Sequence, residues 1–371
     1  LRGCAALLVV WAHVSGYWLY LTGQSSTAQE LWDRWIVVPF HVHQDGGYFA
    51  VLLFFLISGY IVSHTSLRES RTTYAVKRLL RIFPALGVAI LVVYGLVHLM
   101  LALGQQLPGF ADGPWWWWLS APFLLDGSTG RGLVLSVTWT LVIEVVFYAM
   151  VLVVLRLQRE HPLRSTWILV ALWAGLYLLF WNVPVLQPNA AAGIYVGFLL
   201  LGRVVYQVQR ELVSLRDGVL LSAVILVLFW MAVTVGDHGY LLAPGGWTGQ
   251  EPIVSQVAAI LVFLGFLRWA PRRAVQPFGF LGDVSYSLYL LHLPIGFAVL
   301  VGLTGLGVGA SVGAVVAIAA SLAAAWVSYA VVERPVARLA RVLLRRLPGG
   351  RGAPLGDEAR RAVRDGRTPI P

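Results

Sequence analysis

Residues 1–18 read LRGCAALLVVWAHVSGYW, and how this stretch is taken decides the fold. From residue 4 to residue 21 it is apolar enough to be a membrane span, which needs about 20 mostly apolar residues to cross roughly 30 Å of hydrocarbon. The competing reading is a core helix of a soluble protein, and the rest of the chain argues against it. Of 371 residues, 58% are hydrophobic and 12% are charged, with a mean hydropathy of +0.77. A soluble domain carries about 25% charged residues, so this chain lacks the polar skin that water requires. Its 16 Trp and 14 Tyr suit two interfacial aromatic belts.

Hydropathy predicts ten spans, over residues 4–21, 47–65, 84–104, 134–156, 166–182, 190–207, 218–236, 253–269, 280–303 and 308–333. The expected fold class is therefore all-α, a polytopic membrane bundle of about ten transmembrane helices. Residues 115–125 are apolar too, but Pro114 and Pro122 bracket a piece too short to cross. That piece is expected at an interface, where Trp115 to Trp118 would anchor it.

Charge placement tests the count. If Arg2 is cytoplasmic, ten spans put 25 of the 27 Lys and Arg on that side, leaving only Arg34 and Arg131 opposite. Cytoplasmic loops carry such an excess, so both termini are expected in the cytoplasm. The formal charge of +10 then reflects topology and attraction to anionic lipid, and a nucleic-acid partner loses its main support. The single Cys4 excludes an internal disulfide and a thiolate metal cluster. His41, His43 and Asp45, in HVHQD, fall short of a metal-ligand set, so no metal is expected.

Three ionisable residues stand near the middle of their spans: His13 in the first, Glu144 in the fourth and His292 in the ninth. Each costs about 2.5–3.5 kcal/mol to insert, and a functional role is the default hypothesis for such groups. Their positions predict one depth, hence one site. Arg2 and His13 are eleven residues apart, about three helical turns, so they share a face roughly 16 Å apart along the axis. Glu144 shares a face with Thr140 and Tyr148. Ser285, Tyr289 and His292 form a polar stripe at i, i+4 and i+7. Lys77, Arg78 and Arg81 cluster just before the third span, with Pro84 suited to its first turn.

A deep imidazole can take a proton from a hydroxyl, and a nearby carboxylate can orient it. Arginines grip phosphates with paired donors. A donor with phosphates at the water end and a reactive group on a long thin arm would reach both places, and acyl-CoA has that shape. The alternative from another class is a proton-coupled secondary transporter, using the His and Glu as a relay. Transporters typically show matched structural repeats, and the sequence offers no such match.

The blocks RGCAALLVVWAH, FFLISGYIVS, YAVKRLLRIFPAL, SVTWTLVIEVVFY and DVSYSLYLLHLP resemble, in order, those of acyltransferase family 3, the multi-span bacterial O-acyltransferases. The resemblance runs over residues 1–335. It implies a ten-helix catalytic domain in the bacterial inner membrane and a cytoplasmic acyl-CoA donor, acetyl-CoA first, with no tightly bound cofactor. It implies that Arg2 and His13 are essential, that Glu144 supports the site, and that Arg78 and Arg81, with Lys77 beside them, hold the donor. Tyr148, Ser285, Tyr289 and His292 become substrate or supporting residues. Acceptors would be hydroxyls of a sugar, an envelope or exported polysaccharide, or a macrolide-type compound. Residues 336–371 are expected to form a basic, disordered cytoplasmic tail.

Overall fold

The computed structural model describes residues 1–183, 193–235, 251–269 and 278–346. Among these residues there are helices and no strands. Among the described residues, nine helical runs are long and apolar enough to cross a membrane. In chain order the main helices are α1 (Arg2–Thr22), α2 (Gly47–Ser66), α3 (Arg71–Ala102), α4 (Trp139–Val154), α5 (Pro162–Trp181), α6 (Val196–Gln209), α7 (Leu215–Val235), α8 (Glu251–Trp269), α9 (Phe278–Gly305), α10 (Ala310–Ser328) and α11 (Arg334–Arg346). The expected tenth span is α6. At 14 described residues it is short, and it is buried along nearly its whole length because other helices surround it. The outer helices do the reverse: Leu91, Val153 and Leu261 are 70%, 64% and 62% exposed, as expected of side chains that meet lipid.

Small residues set the closest approaches, as membrane packing favours. A Cβ on Gly59 would stand 1.9 Å from the Leu199 carbonyl oxygen, and one on Gly202 2.1 Å from that of Leu56, so α2 and α6 touch backbone to backbone. A Cβ on Gly3 would meet Leu281 Cβ at 2.6 Å, and one on Gly296 would meet Val14 at 3.0 Å. These two glycines let α1 lie against α9.

Two expectations change. Pro84 lies inside α3 rather than in its first turn, because the helix begins at Arg71, where the Ser70 hydroxyl accepts the Thr73 N–H at 3.1 Å. Lys77, Arg78 and Arg81 therefore stand on the helix itself, at fixed angles. The second change is at the far end. Residues 334–346, most of them assigned by sequence to the tail, are helical and continue α10 through a widened turn at Tyr329–Glu333. The reason is amphipathicity: Val336, Leu339, Ala340 and Leu343 fall on one side of the RPVARLARVLLRR helix, and Arg334, Arg338 and Arg341 on the other. Residues 347–371 of the expected tail lie outside the described residues, as do Arg272 and Arg273.

Residues 115–120 form a short helix. Trp115 faces outward, while Trp117 and Trp118 turn in, donating to the carbonyls of Gly132 and Gly113 at 3.0 and 3.1 Å. Nearby, Asp126 accepts the Val134 N–H at 2.7 Å. Burial pushes the Asp126 carboxyl above its ordinary range.

Candidate active site

The first helix changes pitch where the sequence places its imidazole. Residues Ala12–Tyr17 form a π-helical turn, a widening common at functional positions. His13 Nδ1 lies 2.9 Å from His292 Nε2 on α9. His292 is fully buried and its Nδ1 lies 3.1 Å from the Leu288 carbonyl one turn back. Tyr17 stands edge-on to His13 with ring centroids 6.0 Å apart, and Tyr289 neighbours His292 at the same separation.

Glu144 occupies a different group. Its Oε1 accepts from Ser58 Oγ at 2.9 Å and from the Tyr148 hydroxyl at 2.5 Å. Among the described residues no hydrogen bond or ion pair joins Glu144 to His13 or to His292. Instead Glu144 lines two narrow cavities together with Arg2. The one site expected from span positions is, in its hydrogen bonding, two groups, a histidine pair and a carboxylate beside Arg2. The difference arises because a residue's place within a span gives its height and not the neighbour that helix rotation brings to it.

Arg2 stands where three cavities meet. The widest, about 730 Å³, opens at the basic end of the bundle. Its lining holds six cations, Arg2, Lys77, Arg81, Arg334, Arg338 and Arg341, against two carboxylates, Asp283 and Glu333. The second, about 50 Å³, runs between α1, α2, α4 and α9 and reaches Thr140 and Tyr289 past Phe54, Ser285 and Tyr286. The Tyr289 hydroxyl is held there by Thr140 Oγ1 at 2.8 Å and by the Val137 carbonyl at 3.1 Å. A third, about 10 Å³, leads from Arg2 to Arg78, Arg81 and Tyr148.

The three basic residues of α3 have unequal surroundings. Lys77 is paired with Glu69 at 2.8 Å. Arg78 is buried, donates to Thr65 Oγ1 at 2.5 Å, lies 3.8 Å from Glu69, and stacks on Tyr74 and Tyr148 at 5.0 and 5.2 Å. Arg81 has neither a hydrogen bond nor an ion pair among the described residues, and it faces the wide cavity. Arg2 is similar: its Nε is buried without a hydrogen-bond partner. Unpaired cations on a cavity wall are suited to an anionic ligand.

Several lining residues escape sequence reasoning. Tyr286 donates to the Ile82 carbonyl at 2.9 Å and joins α9 to α3. Glu333 accepts the Ser287 N–H at 3.2 Å and the Ser287 hydroxyl at 2.5 Å, which ties the start of α11 to α9. Arg334, Arg338 and Arg341 fall at i, i+4 and i+7, and that spacing was the signal that marked one helical face.

Comparison with known proteins agrees with the blocks noted in the sequence. A protein-family model described as an acyltransferase domain matches residues 1–330. The exopolysaccharide production protein ExoZ of Rhizobium meliloti (strain 1021) is 26% identical over 343 residues, covering 83% of this chain and 94% of that protein. Nodulation protein 10 of Rhizobium leguminosarum bv. viciae is 29% identical over 175 residues, 43% of this chain and 44% of the relative, so the match spans less than half of each. No solved structure gives a significant match.

Proposed function

Since the chain belongs to this acyltransferase family, we propose that it transfers an acyl group, acetyl first, from coenzyme A to a hydroxyl of an exported polysaccharide or its sugar precursor. The observation that carries the reading is the position of Arg2, at the junction between a wide cationic cavity and a narrow one that runs inward to Tyr289. That outline matches a polyanionic head on a thin arm. The donor's phosphates would rest among Arg81, Arg334, Arg338 and Arg341, and its thioester arm would pass Arg2, Ser58 and Glu144. The distribution of Lys and Arg supports a bacterial inner-membrane location with the wide cavity and both termini cytoplasmic. The name of the exopolysaccharide production protein supports the acceptor class.

In this mechanism His13 is the general base. Its lone pair takes the proton of the acceptor hydroxyl as the oxygen bonds to the thioester carbonyl carbon. The carbon–sulfur bond then breaks, and the coenzyme A thiolate leaves and receives the proton from His13. Products are the ester and free coenzyme A thiol. Glu144, held by Ser58 and Tyr148, acts beside Arg2 and not on His13. A proton relay through His13 and Glu144, which a transporter would need, has no connecting hydrogen bond among the described residues.

The test is thiol release from acetyl-CoA by the purified chain in lipid, with and without glucose- and galactose-containing oligosaccharides. His13→Ala is expected to abolish acceptor-dependent release while the protein remains folded in the membrane. Wild-type turnover in that variant refutes the mechanism.

A further inference from the structure

The contact between the two histidines contains more than proximity. The Leu288 carbonyl has no hydrogen to give, so His292 Nδ1, 3.1 Å away, has to carry one. In a neutral imidazole the other nitrogen is then an acceptor. His292 Nε2 faces His13 Nδ1 at 2.9 Å, so the hydrogen in that contact belongs to His13. Its Nδ1 donates, the Val9 carbonyl one turn back being a second acceptor beside the ring, and its Nε2 is left with a lone pair. Neither ring has a carboxylate partner among the described residues, and His292 is wholly buried. A charged ring there would be a buried ion with no counter-charge, which favours the neutral arrangement.

We propose that His292 is a positioning residue that fixes the tautomer and ring angle of His13, with the Leu288 carbonyl as the terminal acceptor of a carbonyl–His–His chain. The chain does for His13 what a carboxylate does in a serine–histidine–carboxylate triad: it holds a hydrogen on one nitrogen so that the other stays free. It differs in being uncharged, which suits a site inside hydrocarbon. Two features keep the chain in register. Gly3 and Gly296 allow α1 and α9 to approach closely, and the π-helical turn at Ala12–Tyr17 alters the angle at which His13 leaves its helix. The role of His292 rests on the reading of His13 as base; the hydrogen arrangement itself does not.

The experiment has two arms. In the first, the full chain labelled with 15N-histidine is placed in lipid bilayers, and solid-state NMR reads which nitrogen of each ring is protonated, with His13→Gln and His292→Gln assigning the signals. The expected result is Nδ1–H on both rings, with His13 losing that preference in His292→Leu. Protonation of His13 at Nε2 in the wild type overturns the proposal. The second arm measures acetyl-CoA thiol release with the same oligosaccharides. In His292→Leu, kcat is expected to fall about 10⁴-fold, the order of loss seen when a catalytic histidine is given the wrong tautomer. KM for acetyl-CoA should stay within about twofold. His292→Gln offers an amide oxygen near the former Nε2 and should recover kcat to within about tenfold of wild type. A His292→Leu enzyme with normal kcat, or a Gln variant no better than Leu, overturns the positioning role. If the wild type releases no thiol, the function reading has failed, and the NMR arm still decides the hydrogen arrangement.

Discussion

Arg203 and Arg81 are the same side chain near the same basic end of the bundle, and the structure uses them in opposite ways. Arg203 is 1% exposed. Its Nε donates to Thr166 at 3.0 Å, one terminal nitrogen to Gln158 at 2.9 Å and the other to Ser165 at 2.8 Å. These neutral acceptors tie α5, α6 and the short α4–α5 connection together, and the guanidinium is bonded on all three nitrogens. Arg81 lines an open cavity, and no protein group bonds it among the described residues. A cation saturated by its own fold holds the fold, whereas a cation left unsaturated beside a cavity is available to a ligand. Arg78 stands between the two, pinned by Thr65, Glu69, Tyr74 and Tyr148 but still lining a narrow cavity.

Five substitutions break or sharpen this contrast. Arg203→Ala should have the largest effect, because it removes three buried charge-assisted hydrogen bonds and leaves a void. A hydrogen bond to a charged group contributes about 1.5–3 kcal/mol, so a loss of about 3 kcal/mol or more is expected, read as a lowered thermal midpoint or yield in detergent. Turnover per folded molecule should be preserved. Arg81→Ala should do the reverse. Folded protein is unaffected, while KM for acetyl-CoA rises about 10- to 100-fold, the loss of one charge-assisted contact worth about 1.5–3 kcal/mol. An unchanged KM would mean that the unpaired guanidinium serves no donor.

Glu69→Gln probes the middle case. It removes the carboxylate shared by Lys77 and Arg78, and a loss of about 1 kcal/mol in stability is expected, since Lys77 is largely exposed and its share is small. KM should change less than in Arg81→Ala. The smallest effect belongs to Arg338→Ala and Arg341→Ala on α11. Both side chains are exposed, so each should raise KM about two- to fivefold at low salt, with the effect fading near 1 M salt as screening shortens to about 3 Å. A salt-independent loss would point to packing of α11 instead.

The legibility of these features in the sequence follows from their range. The apolar runs that become the nine long helices and the shorter α6 are legible in the sequence because hydropathy is summed within one segment. The polar stripe Ser285, Tyr289 and His292 was readable because a helix's own period creates it. The start of α3 is hard to place from sequence because Pro84 resembles a first-turn residue, although Ser70 caps the helix about four turns earlier. Arg338 and Arg341 fall within the expected tail because a short basic helix carries little hydropathy, and only its spacing distinguishes it from disorder.

The sequence by itself determined that this chain lies in a membrane, that its cations gather at one end, and that a few polar groups are kept within the apolar spans. Those properties are set by composition and by distances along one helix. Tertiary structure alone decided that His13 meets His292 while Glu144 stands with Arg2, and that Arg81 is free while Arg203 is bound. The physical reason is that helix rotation and close glycine contacts choose which side chains face one another, and neither is encoded in any single segment.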